Sequence, residues 1–211
     1  MLIRTLVLLA LLLPVFVFAQ RDTILYKNVI SVAPLRLIDP DNSGVELAFE
    51  HRHKPTHSTQ LVAAYMTPAF SNRSSWQNYN GFRLGIDQRF YTAVVEYRMF
   101  GAVGVVLNKT NFLYSGNYMH GTDSTQTHDT VHLHKTNLIL NLTYGAQVLL
   151  FRHFVFDFST GIGLKYRQIK QDEPGTLMSR NTDWMDFEAF YREGHMWGVT
   201  IPFIIRLGYR L

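Results

Sequence analysis

The sequence contains no cysteine. No disulfide can brace the fold and no thiol can do chemistry, so a small exported domain must draw its stability from elsewhere. A sheet closed on itself inside a membrane is one such source. Dense runs of Lys and Arg are absent as well. The scattered basic residues argue against a nucleic-acid partner. Beyond the first twenty residues, no stretch approaches the roughly 18 consecutive apolar residues of a membrane-spanning helix.

Those first residues are of a different kind. "MLIR" carries one charge, at Arg4, and an apolar run from Leu6 to Phe18 follows, interrupted by Pro14. Val17 and Ala19 then place small side chains before Gln20. A basic start, a short apolar centre and small residues at the cut predict a secretory signal peptide over 1–19, leaving a mature domain over 20–211. With no cysteine near the cut, a lipid anchor is not expected. Loss of Arg4 lowers the formal charge from +4 to +3.

Period two recurs through the rest of the chain. In "WGVTIPFIIRLGYRL" (197–211), Trp197, Val199, Ile201, Phe203, Ile205, Leu207, Tyr209 and Leu211 form one wholly apolar face. The other face mixes Gly198, Thr200, Arg206, Gly208 and Arg210. Segment 136–150 sets Leu138, Leu140, Leu142, Tyr144, Ala146 and Val148 against Asn137, Asn141, Thr143, Gly145 and Gln147, with Ile139 out of pattern. Segment 153–167 sets Phe154, Phe156, Phe158, Ile162, Leu164 and Tyr166 against Asp157, Ser159, Gly161, Gly163 and Lys165. The same alternation marks 44–53 (Val45, Leu47 and Phe49 against Glu46, Ala48, Glu50 and Arg52) and 81–90 (Phe82, Leu84, Ile86 and Phe90 against Arg83, Gly85, Asp87 and Arg89). Such alternation is the signature of strands with two unlike faces. Segments 28–38, 59–67 and 97–113 complete a predicted set of eight strands, their faces unassigned.

The connections between these strands alternate in length. Segments 54–58, 91–96 and 151–153 are short, whereas 68–80, 114–130 and 171–194 are long and polar. Apart from a short first turn at 39–44, short and long connections fall on opposite ends. An up-and-down antiparallel barrel crossing a membrane has this form. A soluble barrel also alternates, but fills its interior with apolar side chains. Here the polar faces hold glycines and mixed charges suited to a narrow lumen. The apolar faces are bulky and uncharged, with aromatics toward the strand ends (Phe154, Tyr166, Trp197, Tyr209) as in interfacial girdles. The predicted fold is therefore an all-β, closed, antiparallel, up-and-down transmembrane β-barrel of about eight strands.

The signal segment, the eight alternating stretches and the apolar last strand resemble small eight-stranded outer-membrane β-barrel proteins of Gram-negative bacteria. The nearer likeness is to a barrel family of unknown function, through "NVISVAPLRL…GVELAFEHR" and "GFRLGIDQRFY". The resemblance spans nearly all of the mature chain. It implies location in the bacterial outer membrane, contact with outer-membrane lipids, and insertion by the outer-membrane assembly machinery. That machinery reads a last strand of alternating apolar residues, here Phe203, Ile205, Leu207, Tyr209 and Leu211. Leu211 stands where the family more commonly has Phe.

An eight-stranded interior is just filled by side chains, which excludes a general porin. Glu46, Glu50, Arg83, Asp87, Arg89, Asp157, Lys165, Arg206 and Arg210 all fall on the inner faces, where pairing offsets desolvation. The last strand closing against the first would carry Arg206 and Arg210 toward Glu46 and Glu50. The primary expectation is a structural or surface-interaction protein whose lumen is filled by an ion-pair network. The loops 68–80, 114–130 and 171–194 would meet an extracellular partner. A narrow ion channel and a lipid-modifying acyl hydrolase or transferase are the alternatives. The latter needs a nucleophile, a base and an acid at one rim, for which Ser115 or Ser124, His132 or His134, and Glu188 or Glu193 are candidates outside any motif.

Histidines cluster at 51–57 and 128–134. His132 and His134 share a face at metal-ligand spacing, though rim histidines are commonly surface residues, and neither a metal nor a cofactor is expected. In 183–195, Trp184, Phe187, Phe190 and Tyr191 follow helical spacing and suggest either an amphipathic turn that rests on the outer leaflet or contacts a partner, or a strand extension above the bilayer. Glycosylation sequons at Asn72, Asn108 and Asn141 carry no weight in a bacterial envelope protein.

Overall fold

The computed structural model describes residues 27–38, 43–67, 76–92, 98–120, 125–150, 153–172, 176–177 and 193–211. The signal segment and the aromatic stretch 184–191 lie outside the described residues. The strands are β1 (Asn28–Val32), β2 (Gly44–Lys54), β3 (His57–Met66), β4 (Trp76–Tyr91), β5 (Arg98–His120), β6 (Thr125–Leu150), β7 (Phe154–Gln171), β8 (Thr176–Leu177), β9 (Gly194–Thr200) and β10 (Phe203–Arg210). Neighbours from β1 to β7 pair antiparallel in chain order, and β10 joins both β7 and β1. The sheet is thereby a closed ring.

β9 and β10 are one stave. Thr200 opposes Gly163 and Phe203 opposes Thr160, so both halves keep the same register against β7. The interruption falls at Ile201–Pro202, and proline has no N–H to give a ladder. The ring thus has eight staves, and the short β8 pairs outside it, with β5. Directly opposed residues can be followed once around the ring: Leu207, Val32, Leu47, Ala63, Leu84, Leu107, Leu138, Tyr166, Trp197. The path returns to the last stave ten residues from its start, at Trp197 rather than Leu207. This stagger is the shear that tilts barrel staves by about 35–45°. Every residue on the path belongs to the outward face.

The partition of side chains is inverted relative to a water-soluble protein. Leu47, Leu61, Leu84, Leu140, Ile162 and Val199 stand about half or more exposed on the outer wall. Among the described residues, twenty buried side chains are polar or charged and fifteen are apolar. The outward band is uncharged through the middle of each stave, which suits hydrocarbon.

Three expectations are corrected. Segment 28–38 is not one strand: β1 stops at Val32 and Pro34–Ile38 forms a 3-10 turn, η1. The last bond toward β2 runs from the Ala33 N–H to the Glu46 carbonyl, 3.2 Å. Pro34 then has no N–H with which to continue. Segment 114–130 is not a long loop: β5 runs up to His120 and β6 begins at Thr125. The apolar alternation fades there because both faces of the hairpin leave the apolar band, while the backbone ladder continues unchanged. Likewise β4 begins at Trp76, inside the expected loop 68–80.

Candidate functional site

Strand pleating aims alternate residues of all staves into the lumen, where they form layers. Nearest the short-turn end, Glu50 is the hub. Tyr91 Oη donates to Glu50 Oε1 at 2.6 Å, Gln147 Nε2 to Oε2 at 3.0 Å, and Arg89 Nη1 to Oε2 at 3.3 Å. The same Arg89 nitrogen donates to Asp157, and Nη2 donates to Gln60 Oε1 at 2.7 Å. The Arg89 guanidinium also lies 4.3 Å above the Phe100 ring. Gly145 makes room for that ring: a Cβ there would come within 2.7 Å of Phe100 Cζ. Arg52 bonds Gln147 Oε1 at 3.2 Å and sits 3.6 Å from Glu50 Oε1.

The next layer is built on Glu46. Arg206 grips Oε1 with Nη2 at 2.9 Å and Nε at 3.2 Å. Arg83 Nη1 donates to Oε2 at 3.1 Å, and Arg36 Nε from η1 approaches Oε2 at 3.4 Å. One carboxylate, buried to 2% exposure, faces three guanidiniums. Arg83 Nε also donates to Asn108 Oδ1 at 2.9 Å.

Farther along β6 and β7 the lumen holds Lys135, Lys165 and Arg167 with Asn137 and Asn141. Arg167 Nε donates to Asn137 Oδ1 at 3.3 Å. Beyond them Met66, Tyr79, Phe112, Tyr114, Val131, Leu133 and Ile169 pack as an apolar plug inside the barrel. Lys135 Nζ lies 5.9 Å from the Phe112 ring, on the underside of that plug. At the opposite end Tyr91, Phe100 and Ala102 form a second apolar cluster, and Val29 with Val155 a third.

Beside the Glu46 layer lies a cavity of about 350 Å³. Its lining includes Lys135, Lys165, Arg167, Arg206 and Asp87, and also the five consecutive residues Thr200–Ile204.

Of the nine charges expected in the lumen, Glu46, Arg83 and Arg206 meet in one cluster and Glu50, Arg89 and Asp157 in another. Asp87 and Lys165 line the cavity. Arg210 is buried at the short-turn end, opposite Val29, and the ion pairs found at Glu50 are with Arg89 and Arg52. His134 engages Asn111 Oδ1 through Nδ1 at 2.8 Å and the Asp172 carboxylate through Nε2 at 3.1 Å, on the outer wall, with His132 exposed two residues before it. Ser115 pairs its hydroxyl with Thr130 at 2.8 Å. Ser124 and Glu188 lie outside the described residues, and Glu193 is exposed. Phe203, Leu207, Tyr209 and Leu211 project outward, with Ile205 between them half-buried.

Sequence reasoning misses Arg36, Lys135 and Arg167. Arg36 reaches the lumen only because Pro34 bends the chain out of the strand. Lys135 is found by extending the inward parity of 136–150 one step before the segment, and Arg167 is the last inward position of 153–167. The plug escapes because 97–113 shows no firm face in sequence, and its inward face is apolar at Phe100 and Phe112.

No family model matches the chain, and no curated relative matches its sequence. Among solved structures, the chain is similar to a major outer membrane protein from Thermus thermophilus, with 12% sequence identity and a TM-score of 0.52. That likeness covers 88% of this chain and 98% of the other. It is a likeness of fold: a β-barrel of the outer-membrane kind.

Proposed function

We propose that this protein is an exported outer-membrane β-barrel with a structural and surface-interaction role. The observation that carries the reading is the inside-out partition: a closed ring with an uncharged apolar belt outside and paired charges within. On this reading residues 1–19 are the signal peptide. The short turns lie at the periplasm, and the β5–β6 hairpin stands well above the outer interface. A bilayer crossing needs about 9–11 residues per strand, and β5 and β6 have 23 and 26. Their excess length is a rigid stalk that would present the end of the β5–β6 hairpin to an extracellular partner. Phe203, Ile205, Leu207, Tyr209 and Leu211 serve first as the segment read by the assembly machinery, then as lipid contacts. The Glu46 and Glu50 clusters tie the staves together across the lumen.

Cell fractionation tests this directly. The protein should sediment with outer membranes, resist alkaline extraction, and migrate faster on gels when left unheated. A soluble protein whose mobility ignores heating would sink the reading.

A further inference from the structure

The cavity has an entrance, and its position is informative. In an intact stave only alternate residues can reach the lumen. Here Thr200, Ile201, Pro202, Phe203 and Ile204 all line the cavity, although Ile201 and Phe203 also face outward at 76% and 53% exposure. The cavity therefore passes beside the backbone of this stave and reaches the outer wall. The reason lies in two prolines. Pro34 ends β1, so no strand among the described residues pairs with the β1-facing edge of the last stave above Leu207. Pro202 interrupts that same stave. The turn η1 occupies the seam in place of a strand, with Arg36 pointing in and Leu35 out.

Along the barrel axis the same cavity is bounded by the Glu46 layer. Inside, seven lining side chains are Lys or Arg and two, Glu46 and Asp87, are carboxylates. Adding Glu50 and Asp157 from the layer below still leaves cations in excess. The volume falls within the range of small-ligand pockets, roughly 300–1,000 Å³.

We propose that this chamber binds a phosphate-type anionic headgroup, entering sideways through the η1 seam while its acyl chain stays against Ile201 and Phe203. The ligand class is an anionic amphiphile of the surrounding leaflet. Lys135, Lys165 and Arg167 supply the charge, and Asn137 and Asn141 supply amide donors for the ester and hydroxyl oxygens. A side entrance flanked by lipid-facing residues selects a ligand with one polar and one apolar end. Inorganic phosphate shares the headgroup chemistry but would have to arrive from solution.

The inference rests on the outer-membrane reading, and the test separates the two. The full mature chain is refolded in dodecyl maltoside micelles, with the unheated gel shift and a dispersed amide spectrum reporting the barrel. Dodecyl phosphate and inorganic phosphate are then titrated in parallel, following the amides of Gly163, Gly198 and Thr200. Saturable shifts with dodecyl phosphate, at least tenfold tighter than with inorganic phosphate, are expected. Lys135→Gln and Arg167→Gln, each still gel-shifting, should weaken dodecyl phosphate at least tenfold. Thr200→Trp, placed at the entrance, should block the amphiphile. Equal affinity for both ligands would replace the sideways route with a solution-fed anion site and overturn the proposal. A folded barrel that binds neither overturns it as well, while leaving the barrel reading intact. A chain that never gives the gel shift refutes the barrel reading instead.

Discussion

The two halves of the lumen hold the same kinds of side chain in different proportions. Toward the short turns, Glu50 and Asp157 share Arg89, and Tyr91, Gln60 and Gln147 add hydrogen bonds to the cluster. Toward the long strands, Lys135, Lys165 and Arg167 stand among asparagines around open volume. The first arrangement is a cluster of opposed charges, in which Arg89 meets both Glu50 and Asp157. The second concentrates one sign of charge next to empty space. A surplus of one sign of buried charge is costly, so a stave-binding role explains the first half and does not explain the second. Structure and recognition occupy different heights of the same tube.

The contrast can be broken most strongly at Glu46. Glu46→Gln leaves Arg36, Arg83 and Arg206 facing one another around a neutral amide. Losing one partner of a buried charge cluster costs about 3–5 kcal/mol, so the midpoint of urea unfolding from lipid bilayers should fall markedly; an unchanged midpoint would show that this cluster is not structural. A smaller loss is expected from Tyr91→Phe, which removes only the 2.6 Å hydrogen bond to Glu50. Bonds to charged groups contribute about 1.5–3 kcal/mol, and the same unfolding assay should place this variant between Glu46→Gln and wild type. The smallest change should come from Lys165→Gln in the cationic half. The cavity lining carries seven Lys or Arg side chains against two carboxylates, so neutralising one cation also relieves like-charge repulsion, and the net shift should stay below about 1 kcal/mol, the usual centre for point substitutions. If Lys165→Gln were as damaging as Glu46→Gln, the two halves would be one network and the distinction would fail.

Much of this was legible because period two ties sequence to facing directly. The alternation of Glu46 and Glu50 with Leu47 and Phe49, or of Arg206 with Ile205 and Leu207, assigns inside and outside without further information. Ring closure then brings Arg206 to Glu46 across β1, a contact between positions far apart in the chain that the order of staves alone predicts. Three features were hidden, each for a physical reason. Where β5 and β6 rise beyond the apolar belt, the contrast between faces vanishes while backbone pairing persists, so Thr125–Thr130 read as loop. The plug depends on inward Phe112 and Leu133 meeting Tyr79 and Ile169, a tertiary event with no local pattern. The seam arises from two prolines, Pro34 ending β1 and Pro202 interrupting the last stave, and that both fall on neighbouring staves is a property of ring closure and not of either segment.

The five residues of β1 have a consequence for how this barrel forms. Their register joins Val29 to Arg210, among the largest sequence separations the chain offers, whereas the β2–β3 and β6–β7 hairpins close over a few residues. Loop-closure entropy makes such distant pairing the slow step of folding. The hairpins can zip early, and the assembly waits as an open, curved sheet with β10 and β1 as its free edges. The shortest stave in the ring is thus the latch: the element that contributes least surface determines when the ring of staves closes.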